Sequence, residues 1–173
     1  MSLKEIITEE IKNFSEAIEV FHGTDRNFNK FDLSKIGSGD GKSKGGWGIY
    51  FSDNEEVSKG YSTSQGWVRE FKLKNGPYFD LDEPLEIGDM ILKKLSTMNI
   101  PENELEEFQS DYIDYYPDIT NMQAYEWLSY ILGGEKQASL FLNSLGFIGN
   151  TFMDKWDREA RNYVVFDLDA ILK

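Results

Sequence analysis

Beyond its first 16 residues, the apolar pattern of this chain changes period twice, and that constrains the fold more than any single motif. From Ile18 to about residue 81, apolar residues fall mostly in short runs closed by glycine, asparagine or proline. From residue 84 to 145 they recur at helical spacing, and after Phe147 the short β-type runs return. Strands at both ends with helices between them predict an α+β domain rather than a βαβ repeat. The expected architecture is a split, twisted core of antiparallel strands with one N-terminal helix and a helical insert over 84–145. A chain of 173 residues suits one domain, 1–173.

Individual elements follow from local spacing. Leu3, Ile6, Ile7, Ile11 and Phe14 predict an amphipathic helix over 3–14, within an N-terminal segment 1–16. Ile18 to His22 reads as a strand stopped by Gly23-Thr24. Residues 27–36 read as irregular with one helical turn, and Gly37 to Gly48, the most glycine-dense stretch, as a loop. Trp47 to Phe51 predicts a strand, and Asn54 to Tyr61 a short helix capped by Ser52 or Asp53. Gln65 to Leu73 reads as a strand. Asn75-Gly76-Pro77 then turns the chain so that Tyr78 to Leu81 pairs back on it. Helices are expected over 84–98, 101–115, 121–132 and 135–145, the last two stopped by Gly133-Gly134 and Gly146. Phe147 to Thr151 and Asn162 to Phe166 return to β structure.

Composition removes several functions. There is no cysteine, so disulfides, thiolate metal sites and cysteine nucleophiles are excluded. The net charge of −13 opposes sequence-independent nucleic-acid binding, which needs a basic surface. It suits a soluble acidic protein or a basic protein partner. Met1 to Phe14 lacks the apolar core of a signal peptide, and no apolar run would span a bilayer. A cytoplasmic protein is expected, with no membrane partner.

Two apparent motifs fail on spacing. Gly41-Lys42-Ser43 resembles the end of a phosphate loop, but the first glycine of that pattern falls on Ile36. The acidic groups Asp80/Asp82/Glu83, 102–107 and 111–118 lack calcium-loop spacing, so no metal is expected. Two other features are open to chemistry. His22, the single histidine, ends a strand at a glycine, where a ligand can approach the backbone. Tyr50 and Tyr61, separated by a strand end and a helical turn, could form a slot for a flat cationic ring or simply fill a core.

Taken together, these residues resemble a family. Phe21-His22-Gly23-Thr24, Gly46-x-Gly48-Ile49-Tyr50-Phe51-Ser52-Asp53 and Ser58-x-x-Tyr61 resemble the diphtheria-toxin-like (H-Y-E type) ADP-ribosyltransferases, which include the poly(ADP-ribose) polymerases. The chain is most similar to the ADP-ribosyltransferase domains of phage polyvalent proteins. Their leucine-glycine-aromatic-x-glycine turn and final asparagine-tyrosine-valine strand match Leu145 to Gly149 and Asn162 to Asp167. The resemblance covers about residues 20–173.

The resemblance implies NAD as co-substrate. Gly23 would hold the nicotinamide carboxamide through its backbone, and Ser58 would add a hydroxyl contact. Tyr50 and Tyr61 would sandwich the ring, His22 would bind the adenosine ribose, and Thr24 and Gly48 would complete the NAD-contacting set. The glycine loop 37–46 would lie over the donor. One position departs from the polymerases: their glutamate before the final strand is Asn162 here. Asn162 can bond a ribose hydroxyl but cannot take a proton, so polymer formation is not expected. Asp154, Asp157 and Glu159 lie just upstream, any of them a candidate acceptor base or only surface charge. Trp156 is a candidate acceptor contact, and Arg158 and Arg161 are candidate phosphate contacts. The implied activity is mono-ADP-ribosyl transfer to a macromolecule, most naturally a protein. Two alternatives are NAD hydrolysis and a catalytically weak NAD-binding or acidic interaction module.

Overall fold

The computed structural model describes residues 17–36, 45–62, 66–115, 118–157 and 159–172. The helix expected over 3–14, most of the glycine loop and Arg158 lie outside them. The α+β expectation holds. Strands β1 (Ile18–Thr24), β2 (Ile49–Ser52), β3 (Trp67–Leu73), β4 (Tyr78–Asp80), β5 (Gly149–Met153), β6 (Arg161–Val165) and β7 (Ile171–Leu172) form one sheet. Its order is β4-β5-β6-β2-β1-β3-β7. Helix α1 (Glu55–Lys59) follows β2. Helices α2 (Gly88–Leu95), α3 (Glu102–Tyr115), α4 (Asn121–Leu132) and α5 (Glu135–Ser144) fill the interval between β4 and β5.

The predicted hairpin after Gly76 does not form. β4 pairs parallel with β5, Tyr78 opposite Gly149, and β3 takes β1 and the short β7 as neighbours. A parallel pair needs a long crossover, and the four helices supply it. This topology also dictates curvature. Five strand spacings of about 4.8 Å separate β3 from β4 along a flat sheet, roughly 24 Å. The five steps from Leu73 to Tyr78 reach at most about 18 Å. The sheet must therefore curl, bringing its two ends together.

Side-chain alternation divides the core between the two faces. Phe79, Phe152 and Val164 pack with Leu85, Ile91, Phe108, Tyr125, Leu128 and Leu142 of the helical segment. Val20, Ile49, Phe51, Tyr163 and Val165 form a second cluster, covered by Phe31, Leu33 and Ile36. Capping fixes the helix ends. Thr120 and Gln123 form a capping box on α4, which Gly133 closes at φ 86°. For α1 the cap is Asn54, whose side chain accepts from the amides of Glu56 and Val57. The expected caps, Ser52 and Asp53, instead lie at the strand end and before the cap. Among the described residues, no helix is long and apolar enough to cross a membrane, and no group of three His, Cys, Asp or Glu could hold a metal ion.

Candidate active site

The site grows from the place where β1 and β2 part. Their ladder is a single pair, Phe21 opposite Ser52, so β2 does not pair with Gly23. Helix α1 runs across this opening. Ser58 is buried on it, and its hydroxyl donates to the Phe21 carbonyl at 2.9 Å. A Cβ at Gly23 would stand 2.0 Å from the Ser58 carbonyl oxygen. Only glycine lets the strand pass beneath the helix so closely. Gly23 and Ser58 are thus brought together, 35 residues apart in sequence.

Tyr50 forms a fixed wall. Its hydroxyl donates to the Gly46 carbonyl at 2.7 Å and accepts from the Gly45 amide at 3.0 Å. Burial holds its phenol far above the ordinary value, so it remains a neutral donor. Tyr61 forms the opposite wall, its ring centroid 6.4 Å away and tilted by 48°. It sits just past α1 and is 47% exposed. A flat ring between two others needs roughly 7–8 Å. The two rings stand closer than that, Tyr50 pinned and Tyr61 exposed.

Sequence reasoning missed what pins the Tyr50 segment. Tyr125 on α4 accepts from the Trp47 amide at 3.1 Å, and Ser139 on α5 donates to the Trp47 carbonyl at 2.9 Å. A Cβ at Gly46 would meet the Tyr125 hydroxyl at 2.2 Å. Asn150 donates to the Gly45 carbonyl at 2.8 Å. Nothing in the local spacing of Tyr125, Ser139 or Asn150 marks them for this task. Gly48 answers to packing, since a Cβ there would meet Val164 at 2.6 Å.

His22 lies elsewhere. Alternation turns its side chain to the sheet face opposite Tyr50, among the rings of Phe28, Phe31, Phe51 and Phe71. Its Nδ1 is 2.7 Å from the Tyr50 carbonyl. A carbonyl can only accept, so Nδ1 carries the hydrogen and Nε2 the lone pair. Burial, with the nearby Arg69 charge, lowers its pKa against the pull of that hydrogen bond, so the ring is neutral near pH 7. Thr24 uses its hydroxyl in a local turn with Arg26, accepting from the Arg26 amide at 3.1 Å.

Asn162, the second residue of β6, lies opposite Ser52 and is fully buried. Its Nδ2 donates to the Asp154 carboxylate at 3.1 Å. The expected carboxylate candidates separate here. Asp154 is 8% exposed and close enough to Tyr61 for its charge to raise the phenol pKa, second to burial. Asp157 instead accepts from Asn54 at 2.9 Å, and Glu159 is exposed. Trp156 stands 92% exposed beside them. The Arg161 guanidinium is engaged by Asp80 at 2.5 Å rather than directed at the slot.

A curled α+β sheet with two facing tyrosines beside a half-buried glycine is the setting in which the sequence comparison falls. The family of ADP-ribosyltransferases in polyvalent proteins matches residues 15–171, and the chain belongs to that family. No curated protein and no solved structure gives a significant match.

Proposed function

We propose that this domain, residues 1–173, transfers a single ADP-ribose unit from NAD to a macromolecular acceptor, most naturally a protein. The observation that carries the reading is the meeting of Gly23, Ser58, Tyr50 and Tyr61 at the opening between β1 and β2. In this reading the free backbone edge of Gly23 binds the nicotinamide carboxamide. The Ser58 hydroxyl spends its hydrogen on Phe21, leaving lone pairs to accept a carboxamide N–H. The two tyrosine faces attract the cationic ring. His22 holds the Tyr50 strand in place through Nδ1.

Cleaving the nicotinamide–ribose bond develops positive charge on the sugar, as in glycoside hydrolysis. Nicotinamide leaves neutral and needs no general acid. Orientation and electrostatics then carry the reaction. The neutral Asn162 favours one transfer over chain growth, and the charge of −13 favours a protein acceptor over nucleic acid.

The test is incubation with labelled NAD and a cell lysate, reading both free nicotinamide and labelled macromolecules. Labelled protein together with released nicotinamide is expected. Release without label would make water the acceptor. Binding without release would leave an NAD-binding module.

A further inference from the structure

Loss of nicotinamide leaves a sugar cation, and an acceptor attacking it must shed a proton, so an anion is needed beside the slot. Several carboxylates stand near β6, each with partners of its own. Asp53 accepts from the Arg161 amide at 2.8 Å, Asp80 pairs with the Arg161 guanidinium, and Asp82 accepts from the Met153 amide at 2.6 Å. Asp157 ties to Asn54. Asp154 differs in position. One of its oxygens accepts from the amides of Trp156 and Asp157 at 2.8 and 3.0 Å, which fixes the carboxyl plane. The other oxygen accepts from Asn162 Nδ2 at 3.1 Å, and Asn162 pairs with Ser52 on the strand and face that carry Tyr50.

Asn162 carries the complementary observation. Its Oδ1 is buried and has no hydrogen-bond partner. Its amide orientation is set, because only Nδ2 can donate to the carboxylate. A buried acceptor left open in this way is costly unless a donor completes it, and a ribose hydroxyl is such a donor.

We propose that Asp154 is the catalytic carboxylate of the transfer and that Asn162 is its positioning partner, together doing what one acidic side chain could do alone. This rests on the NAD-transfer reading. In the step, the bond from the ribose C1′ to the nicotinamide nitrogen breaks, and its electron pair leaves with the ring. The acceptor heteroatom forms the new bond to C1′. Its proton passes to the Asp154 carboxylate and then to water. Before that, the carboxylate charge stabilises the sugar cation, while Asn162 Oδ1 accepts from the ribose hydroxyl.

The test compares D154N, the charge swap D154N/N162D, and the wild-type chain by nicotinamide release and NAD affinity. D154N keeps the shape and the acceptor oxygen toward the loop, but its new Nδ2 faces Asn162, whose amide turns to accept from it. It is expected to lower kcat about 100-fold, with the Kd for NAD rising by no more than about tenfold. The swap returns a carboxylate to the same pair and is expected to recover about tenfold over D154N, which a purely structural role would not give. If D154N does not fold, D154E is read in its place. A loss of about tenfold in kcat at unchanged Kd is then expected. An unchanged rate in D154N or D154E, or a swap that recovers nothing, overturns the assignment alone. A wild-type chain that binds NAD but never releases nicotinamide overturns the transfer reading and the assignment with it.

Discussion

Gly23 passes so close beneath Ser58 that a Cβ on it would stand 2.0 Å from the Ser58 carbonyl oxygen. That atom belongs to backbone, so it cannot swing aside as a side-chain tip would. Gly23→Ala should therefore destabilise the fold by about 1–3 kcal/mol, the usual range for overpacking. It should also displace Ser58 and weaken NAD binding. Urea unfolding and calorimetry check both. A variant with unchanged midpoint and unchanged affinity would show that β1 and α1 are not in contact.

The two walls of the slot should respond differently. Tyr61 is half exposed and carries little of the core, so Tyr61→Ala should change stability by no more than about 0.5 kcal/mol. It should weaken NAD binding by about 1–3 kcal/mol through lost stacking and burial. Tyr50→Phe keeps the ring but removes the bonds to Gly45 and Gly46. It should cost about 1–3 kcal/mol of stability. Equal stability losses in the two variants would contradict a pinned wall facing a mobile one.

His22 predicts a pH effect with a definite sign. Its folded pKa lies below the ordinary value of about 6.5. Between those two values the unfolded chain binds the extra proton, so stability rises with pH there. The contribution is complete above about pH 6.5 and is lost as pH falls toward the folded value. Carboxylates titrate in the same acidic range, so the comparison is with His22→Gln. The stability advantage of the wild type over that variant should shrink from pH 7.5 to pH 5. A constant difference would mean that His22 does not titrate between folded and unfolded states.

Asn54 joins the slot to the acidic loop. It caps α1 and donates to Asp157 at 2.9 Å. Asn54→Ala should cost about 0.5–2 kcal/mol for the cap. Asn54→Asp keeps the cap but sets two carboxylates against each other. Thermal melts should show a loss in both variants, and the loss in the aspartate variant should shrink as added salt screens the two charges. A loss in the aspartate variant that does not respond to salt would mean that residues 54 and 157 do not face each other.

Much of this was legible in the sequence because it was local. The strand over 18–22, the short helix after Ser52 and the helices 121–132 and 135–145 follow from period and turn residues, and the structure bears out those elements; the spacing from Tyr50 to Ser58 and Tyr61 took its meaning from the family resemblance. Partner choice was not local. Tyr78–Asp80 is only three residues long, and nothing in it distinguishes a hairpin with β3 from a parallel pair with β5 across four helices. The cap shifted by one or two residues for a similar reason: Ser52, Asp53 and Asn54 can all cap, and tertiary context selects Asn54. The opposed directions of His22 and Tyr50 follow from strand alternation once the β1–β2 register is known. That register is a single tertiary pair, Phe21 with Ser52, which no local spacing encodes.

Strand β6 has a consequence for how the domain can change. Asn162 sits beside the slot, and its neighbour Tyr163 packs into the opposite core with Tyr78. Substitution at either position alters one face and spares the other. Insertion or deletion of a single residue just before Asn162 would exchange the two faces, sending the amide into the apolar cluster and a phenol toward Asp154. The segment between β4 and β5 meets the slot through hydroxyls on α4 and α5, so its outer helices are free to vary in length. Variation in this fold should therefore come as changed lengths within the helical segment and as changed letters, at fixed length, in the strands that frame the site.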